Sequence, residues 1–580
     1  MTVLLDSFTF SPRPDVVVEK NDVILNPGGS FVFTLAGDDR ISSIYTTDTP
    51  TLSLPTLSGD SRETVFGIYN QESIDTSSGK DIILGDVKYT GESLVPTVYG
   101  ITQAFNGANN GFTSATIATG SGNDKVSGLA SSSNSSSILG IGNFFSSEIN
   151  TGAGRDEVKG EARGTATSII GGIDQGSSQD STATDSLIVT GKGDDKVIGV
   201  GDGQATSIYG IEQSVGNNQL ITGNGDDEVR GSGSGSGRRS LTGITQGFGN
   251  NQIITDIGND IVIGEADGNA SVVLIGIAQS GNGNNQIVTD IGADKVIGEA
   301  NGNLEVVSGE LEGATPGIVG ISQQGGSQKI STGISDDEVI GKASGTAISD
   351  DGSLIPIVGI AKLNSTIDTG IGADKVIGEA SGTAGQMAGI VQQGSEDLIT
   401  TGISDDEVIG TATGTASVMA GIAQQPGTSG SEIVTDKGDD KVMGTASNDV
   451  GGFTAGILGD FDINTGSGND EVIASAQISG TRVDGFAADP FTGGTVTVNT
   501  GSDDDLVKGF GQGNFDGGEG NDIYDLSEYS QSEFTIEIGT GTNNEVNFTH
   551  TDLLGESTAS TQGFEVFRFA DGELSFSDLA

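Results

Sequence analysis

The chain has 580 residues, 96 of them glycine, with 80 Asp and Glu against 25 Lys and Arg, a net charge of −55, one histidine and no cysteine or tryptophan. Without cysteine it can hold no disulfide, thiolate zinc site, iron–sulfur cluster or cysteine nucleophile, and His550 alone cannot build a multi-histidine metal centre. So acidic a balance also argues against nucleic acid as a partner, because phosphate contacts need clustered Lys and Arg.

Residues 1–30 stand outside any repeat and are expected to form an N-terminal cap. The opening MTVLLDSFTFSPRP lacks the basic stretch and apolar core of a cleaved signal peptide. From Thr34 onward a block recurs as T-x-x-G-x-D-x-V/I. Fourteen copies open at Thr34, Thr76, Thr119, Thr151, Thr190, Thr222, Thr255, Thr289, Thr332, Thr369, Thr401, Thr435, Thr465 and Thr500, about 36 residues apart on average. The sixth residue is Asp and the eighth Val or Ile in all fourteen, and the fourth is Gly except at Ser335, Ser404 and Asp503. Repetition at such a period is the signature of a solenoid.

Between blocks lies a second element, G-I-x-Q, as at Gly243-Ile244-Thr245-Gln246 and Gly276-Ile277-Ala278-Gln279. A polar turn such as Gly283-Asn284-Asn285 often follows, then a short apolar run into the next block. Each repeat therefore reads as loop, strand, strand, turn, strand. Alternation supports the strands: Val262, Gly264, Ala266, Gly268 and Ala270 share one face, while Glu265, Asp267 and Asn269 share the other. A face of Gly and Ala cannot fill a thick core, so the coil is expected to be flat with closely opposed sheets. Ile263 and Ile377 interrupt the alternation and are read as bends. The strongest apolar stretch, Val272 to Ala278, is too short to span a bilayer.

Glycines in the block permit positive φ and close backbone approach, so carbonyl oxygens can turn towards one point. The aspartate adds a carboxylate there, and the following Val or Ile anchors the loop in the core. Turn chemistry alone would accept Asn or Ser at the sixth position. Stacked carboxylates without a counter-ion would also repel. An oxygen-rich flexible cage suits Ca2+, with Mg2+ second choice because it demands a stricter octahedron. The expected metal residues are Asp124, Asp156, Asp195, Asp227, Asp260, Asp294, Asp337, Asp374, Asp406, Asp440, Asp470, Asp505 and, at the end of the array, Gly517, Gly520 and Asp522. Copies lacking the fourth Gly, and those at Thr34 and Thr76, are the weaker members.

Gly517-Gly518-Glu519-Gly520-Asn521-Asp522-Ile523-Tyr524 resembles the G-G-x-G-x-D-x-U repeat of the RTX (repeats-in-toxin, haemolysin-type) calcium-binding proteins. The internal blocks look like variants with Thr for the first Gly, and Gly563 to Gly572 is similar to the C-terminal segments of such proteins. The resemblance implies a calcium-filled parallel β-roll and export through a one-step channel that reads an uncleaved C-terminus. Family repeats recur every nine residues, with loops on both sides of the coil. Here one loop recurs per repeat, so a single calcium column is expected, with the Asn-rich turns as a second, weaker ladder.

The expected fold is all-β, a parallel β-solenoid (β-roll or β-helix) of about fourteen coils over residues 31–522. A C-terminal β-rich cap and secretion segment would occupy 523–580. The expected function is a secreted, non-enzymatic calcium-binding solenoid with a structural or cell-surface role, folding on calcium binding, with a cell-surface polysaccharide or outer layer as candidate partner. Two alternatives stand beside it. A calcium-dependent polysaccharide lyase or epimerase would need an insertion rich in acid and base, whereas the gap at 301–318 carries Asn303, Glu305, Glu310 and Glu312 but no Lys, Arg or His. An adhesin or ice-binding surface would use a ladder such as Thr411, Thr413, Thr415 and Ser417. An EF-hand-like spacing at Asp460, Asp462, Asn464 and Glu471 is read as coincidence, and His550 as a surface residue.

Overall fold

A computed structural model describes the chain except residues 1, 6–7, 9–12, 14, 21–22, 27–30, 35, 49–51, 56–60, 104–113, 177–184, 307–316, 351–354, 426–429, 461, 489–493, 541–542, 554 and 580. Glu310 and Glu312 thus lie outside the described residues. The chain forms two units, Met1–Asn301 and Gly302–Ala580. Each is a parallel β-solenoid, as the sequence leads one to expect.

One coil of the first unit shows the plan. The three-residue strand Glu148–Asn150 leads into the loop Thr151 to Asp156, and the strand Glu157–Gln175 then carries both remaining walls. Glu157–Gln175 lies parallel to Lys125–Asn143 on one side and Lys196–Gln213 on the other, in register, with Val158 opposite Val126 and Val197. The register slips between Thr165 and Ile169, where the long strand turns from one wall to the next. The second unit repeats the plan with Leu398–Thr400 and Glu407–Gln424.

Like residues stack on like. Val158, Ile170, Ile173 and Ile149 are fully buried, and so are their counterparts Val197, Ile208, Ile211 and Ile188 one coil on. Each such side chain contributes roughly 1.5–3 kcal/mol by leaving water, an upper bound because the unfolded chain is itself partly collapsed. Where glycines of the two halves of the long strand face each other there is no room for a side chain. A Cβ on Gly160 would stand 2.1 Å from the carbonyl oxygen of Gly172, and one on Gly410 would stand 2.3 Å from that of Gly421. The coils are flat, with closely opposed walls, because glycine faces glycine there.

Ile263 and Ile377 do not mark bends. Both sit in uninterrupted pairing, opposite Arg230 and Ile340 respectively, and are half-buried on the outer face. The wall changes later, where strand Ile261–Ala270 ends and Val273–Ser280 begins.

On the outer face, the residue after the block aspartate alternates in charge over two runs, Lys125 to Glu228 and Lys295 to Glu471, with Ile82, Ile261 and Leu506 standing outside them. Lys125 meets Glu157 at 2.7 Å and Lys196 meets Glu228 at 2.6 Å. In the second unit Lys375 meets Glu407 at 3.1 Å and Lys441 meets Glu471 at 3.0 Å. Glu157 also lies in register with Lys196, and Glu407 with Lys441.

The earliest segments pair as coils do: Thr2–Leu4 with Val23–Asn26, and Val16–Lys20 with Arg40–Thr47, all parallel. The C-terminal segment departs from the plan. Val546–Thr551 lies antiparallel to Thr535–Ile538 and Glu556–Gln562, while Phe564–Phe569 continues the parallel stack on Asp522–Leu526. Phe510, Tyr524, Phe548, Phe564 and Phe567 are buried there. His550 lies among them rather than on the surface, with ring centroids 5.6 Å from Phe510 and 5.2 Å from Tyr529. The aromatic core of this segment encloses a ring that its neighbours Thr549 and Thr551 make look exposed.

Candidate metal centre

The loop between the short and long strands is held by backbone geometry that recurs from copy to copy. Its second residue takes positive φ, as at Gly152 (90°) and Gly402 (94°), and so does its fourth, as at Gly154 (151°). Stacked loops touch: a Cβ on Gly154 would stand 1.3 Å from the Gly122 carbonyl oxygen. Copies without the fourth glycine keep the left-handed backbone all the same, with φ of 113° at Ser335 and Ser404 and 89° at Asp503. The strain this implies for non-glycine residues is borne by the stack on either side.

The first-position threonine is buried and reaches along the stack. Thr119 Oγ1 donates to the Thr151 carbonyl at 3.1 Å, and Thr190 Oγ1 to that of Thr222 at 3.1 Å. Glycine, without a side-chain hydroxyl, could not make this bond.

The block aspartates are buried and form a ladder. In the first unit the N–H of Asp124 donates to Asp156 Oδ1 at 2.7 Å, Asp156 N–H to Asp195 at 2.8 Å, and Asp195 N–H to Asp227 at 2.7 Å. Asp227 to Asp260 and Asp260 to Asp294 continue it at 2.8 and 2.7 Å. In the second unit it runs from Asp337 through Asp374, Asp406, Asp440, Asp470 and Asp505 to Asp522, at 2.8–2.9 Å. The weaker copies belong too: Asp39 N–H donates to Asp81, and Asp81 N–H to Asp124, both at 2.7 Å. Asp39 and Asp81 were legible from the sixth position of their blocks.

One oxygen of each carboxylate is used by this ladder; the other is not. Oδ2 of Asp124, Asp156, Asp195, Asp227 and Asp260, and of Asp374, Asp406, Asp440, Asp470, Asp505 and Asp522, is buried and receives no hydrogen bond. The block threonine lies beside the carboxylate. Thr119 and Thr190 give their proton to the next coil's carbonyl, Thr222, Thr255 and Thr401 Oγ1 are buried with no partner, and Thr34 Oγ1 donates to Asp39 Oδ2 at 2.5 Å. Burial, reinforced by neighbouring carboxylates, pushes Asp195, Asp374, Asp406, Asp440 and Asp505 up to about 7 and Asp124, Asp227, Asp470 and Asp522 to about 6. A buried acceptor without a donor costs free energy unless a proton or a cation meets it.

The Asn-rich turn on another edge of the coil provides an internal control. There Gly249-Asn250-Asn251 repeats the loop's Gly-x-Asp pattern with an amide for the acid. Asn218 N–H donates to Asn251 Oδ1 at 3.1 Å, as the aspartates do. The amide, however, also donates: Asn251 Nδ2 reaches Asn285 Oδ1 at 3.0 Å and the Gly247 carbonyl at 3.3 Å. Where the amide nitrogen supplies hydrogens among oxygens, the aspartate has a second oxygen instead. The expected second ladder is therefore present as a neutral hydrogen-bonded column with no need of an ion.

A third column is formed by the G-I-x-Q glutamines. Gln246 Nε2 donates to Gln213 Oε1 at 2.8 Å and Gln279 Nε2 to Gln246 Oε1 at 2.7 Å. Lys362 takes the glutamine's place in one coil, fully buried, its Nζ donating to the Leu398 carbonyl. The same neighbourhood holds buried Asp397, in the place of a turn asparagine, accepting from the N–H of Ser365, Gln393 and Gly394. Sequence reading missed these two residues, whose charges act on each other across the coils, because they are separated by a whole coil.

Among the described residues no three His, Cys, Asp or Glu side chains converge on one point to hold a metal. Each loop instead offers one carboxylate with an orphaned oxygen and a turn of main-chain carbonyls. That donor set fits a hard, oxygen-seeking cation. Gly517 and Gly520 line the last loop, where a Cβ would stand 2.9 Å from Asp522 Oδ2 and 1.9 Å from the Asp503 carbonyl oxygen, respectively. The EF-hand-like spacing dissolves: Asp462–Asn464 is a strand and Glu471 begins another.

No family model and no curated protein matches the chain. Among solved structures, the chain is similar to a hyperactive, Ca2+-dependent, β-helical antifreeze protein from an Antarctic bacterium, at 16% identity, with 75% of this chain and 94% of that one covered and a TM-score of 0.26. A likeness so distant leaves function to be argued from the residues. No helix among the described residues is long and apolar enough to cross a membrane.

Proposed function

We propose that this protein is a calcium-binding β-solenoid of the RTX kind, non-enzymatic and secreted, with a structural role at the cell surface. The row of buried aspartate oxygens without donors carries this reading. Calcium accepts six to eight oxygen ligands in flexible geometry, which one carboxylate and several carbonyls per loop can help supply. Asp124, Asp156, Asp195, Asp227, Asp260 and Asp294 would hold it in the first unit. Asp337, Asp374, Asp406, Asp440, Asp470, Asp505 and Asp522 would do so in the second, with Gly517 and Gly520 shaping the last loop. Without the ion the carboxylates repel and bury charge; with it, ion binding becomes folding free energy. Low calcium inside a cell would keep the chain open, and higher calcium outside would close it.

Far-UV circular dichroism during a calcium titration tests this. The β-signal and the melting temperature should rise together with calcium, and Mg2+ should substitute poorly. Full β-structure in excess chelator, with a melt indifferent to calcium, would sink the reading.

A second reading rests on the outer face of the second unit. Ser344, Ser381, Thr413 and Ser447 lie in register on four neighbouring strands, and Thr346, Thr383 and Thr415 form a parallel row beside them. Two regular hydroxyl rows favour an adhesin or an ice-binding surface built on the same calcium-dependent scaffold. Thermal hysteresis and ice-crystal shaping by the calcium-loaded chain test the ice-binding form; freezing indistinguishable from buffer would remove it.

A further inference from the structure

The aspartate ladder of the second unit does not stop at Asp522. Its N–H donates to Glu565 Oε2 at 3.0 Å, where every earlier step of that unit ends on the next loop's aspartate. Glu565 belongs to the C-terminal strand Phe564–Phe569, which lies parallel to Asp522–Leu526. Asp522 pairs with Phe564 but Ile523 pairs with Val566, so Glu565 is the extra residue of a β-bulge. Bulges re-aim side chains, and this one turns a carboxylate into the column at the point where the block motif has run out. The longer Glu side chain reaches from a strand where Asp reaches from a loop.

The surroundings point to a ligand. Asp522 is fully buried and its Oδ2 has no donor. A Cβ on Gly517 would stand 2.9 Å from that oxygen and 3.0 Å from the Gly563 carbonyl oxygen, so the two oxygens face one gap. Gly563 takes φ of 76°, which lets the chain cross the loop closely. Glu565, Asp504 and Asp516 all add negative charge at Asp522. None of these four carboxylates is in an ion pair with Lys or Arg among the described residues. The other Glu565 oxygen accepts Asn544 Nδ2 at 3.1 Å, so a neutral amide ends the column beyond it.

We propose that the C-terminal segment completes the last cation site of the second unit: a divalent cation at Asp522 Oδ2 and the Gly563 carbonyl, with Glu565 in the place of the next aspartate, ties strand Phe564–Phe569 to the loop Gly517 to Asp522. The proposal rests on the reading of the column as a calcium site. It goes further in making the docking of the C-terminal segment depend on the ion, and in giving Glu565 a role outside the repeat.

Hydrogen exchange of the full-length chain during a calcium titration tests it, with protection read separately in Phe564–Phe569 and in the interior strand Glu407–Gln424. Both segments should gain protection with calcium. In Glu565→Gln the C-terminal strand should need at least tenfold more calcium for the same protection, while Glu407–Gln424 keeps its midpoint. Glu565→Asp, which keeps the charge on a shorter arm, should fall between. Should Glu407–Gln424 respond in the wild type while Phe564–Phe569 is fully protected in chelator, this proposal fails and the calcium column stands. Should neither segment respond, both fail. An unchanged midpoint of Phe564–Phe569 in Glu565→Gln also overturns the proposal. If that variant did not fold, the wild-type comparison alone would decide.

Discussion

The main-chain N–H of Asp374 donates to Asp406 Oδ1 at 2.8 Å, while Asp406 Oδ2, equally buried, receives nothing. The two oxygens thus differ: one is held in the ladder, and the other is the oxygen that the proposed cation would meet. Substitutions can separate them. Asp406→Asn keeps the acceptor and supplies the donor that Asn251 supplies in the neutral column, so it should remove one calcium from the stoichiometry and raise the melting temperature in chelator. Asp406→Ala also strands the Asp374 N–H, which should cost about 1–3 kcal/mol with or without calcium. Isothermal titration and urea melts read both. Equal behaviour of the two variants would show that the second oxygen has no separate role.

Acidity should act in opposite directions on the ion-free and loaded chains. In the folded ion-free chain, burial lifts Asp195, Asp374, Asp406, Asp440 and Asp505 to about 7, far above an unfolded aspartate near ~3.9. Between those values the folded state holds more protons than the unfolded one, so stability rises as pH falls. The chelated chain should therefore melt higher at pH 5 than at pH 8. Calcium needs the ionised form, so its affinity should fall over the same range. A melting temperature of the chelated chain that drops on acidification would contradict the burial of these groups.

The glycine seam sets a steric limit that calcium cannot relieve. A methyl group at Gly410 would meet the Gly421 carbonyl oxygen at 2.3 Å. Both are main-chain positions in closely opposed walls, so neither can step aside cheaply. Gly410→Ala should lower stability by roughly 1–3 kcal/mol, the usual cost of overpacking, measured as a shift in the urea midpoint at saturating calcium. No shift would mean that the walls can part.

Lys362 and Asp397 should behave as a unit. Burial lowers Lys362 to about 7, with Asp397 opposing that shift. Lys362→Gln alone removes the charge that acts on Asp397 and the donor to the Leu398 carbonyl, and should cost about 1–3 kcal/mol. Lys362→Gln with Asp397→Asn restores the neutral columns of the neighbouring coils and should recover most of that loss. A double-mutant cycle without coupling would show that the two charges are independently solvated. The pH signature is also distinct: a lysine whose folded pKa is lowered adds stability as pH rises from about 7 towards its unfolded value.

How much of this was legible beforehand follows from where each signal sits along the chain. The block aspartates, the alternation at Val262 to Ala270 and the thin walls are local patterns, and local patterns repeat visibly. The neutral Asn251 column was visible as a motif, but its lack of a second oxygen matters only beside the aspartate column. Glu565 lies outside any block and reaches the ladder through a bulge, which no spacing announces. Ile263 misled because an outward-facing half-buried isoleucine looks the same in sequence as a bend. His550 misled because its burial depends on rings more than fifteen residues away, such as Phe510 and Phe534.

The alternating lysines and glutamates on the outer face carry one more consequence. Each pair is half-exposed and worth little alone, ~0–1 kcal/mol. In a stack of near-identical coils, though, the commonest error is to pair with the wrong neighbour. Lys196 set against Lys125 by skipping the coil of Glu157 would face its own charge, as would Glu407 set against Glu471. Within the runs Lys125 to Glu228 and Lys375 to Glu471 the alternation therefore works as a parity check: a coil set one place out meets its own sign, and the omission of one coil is penalised at every charged position of the run.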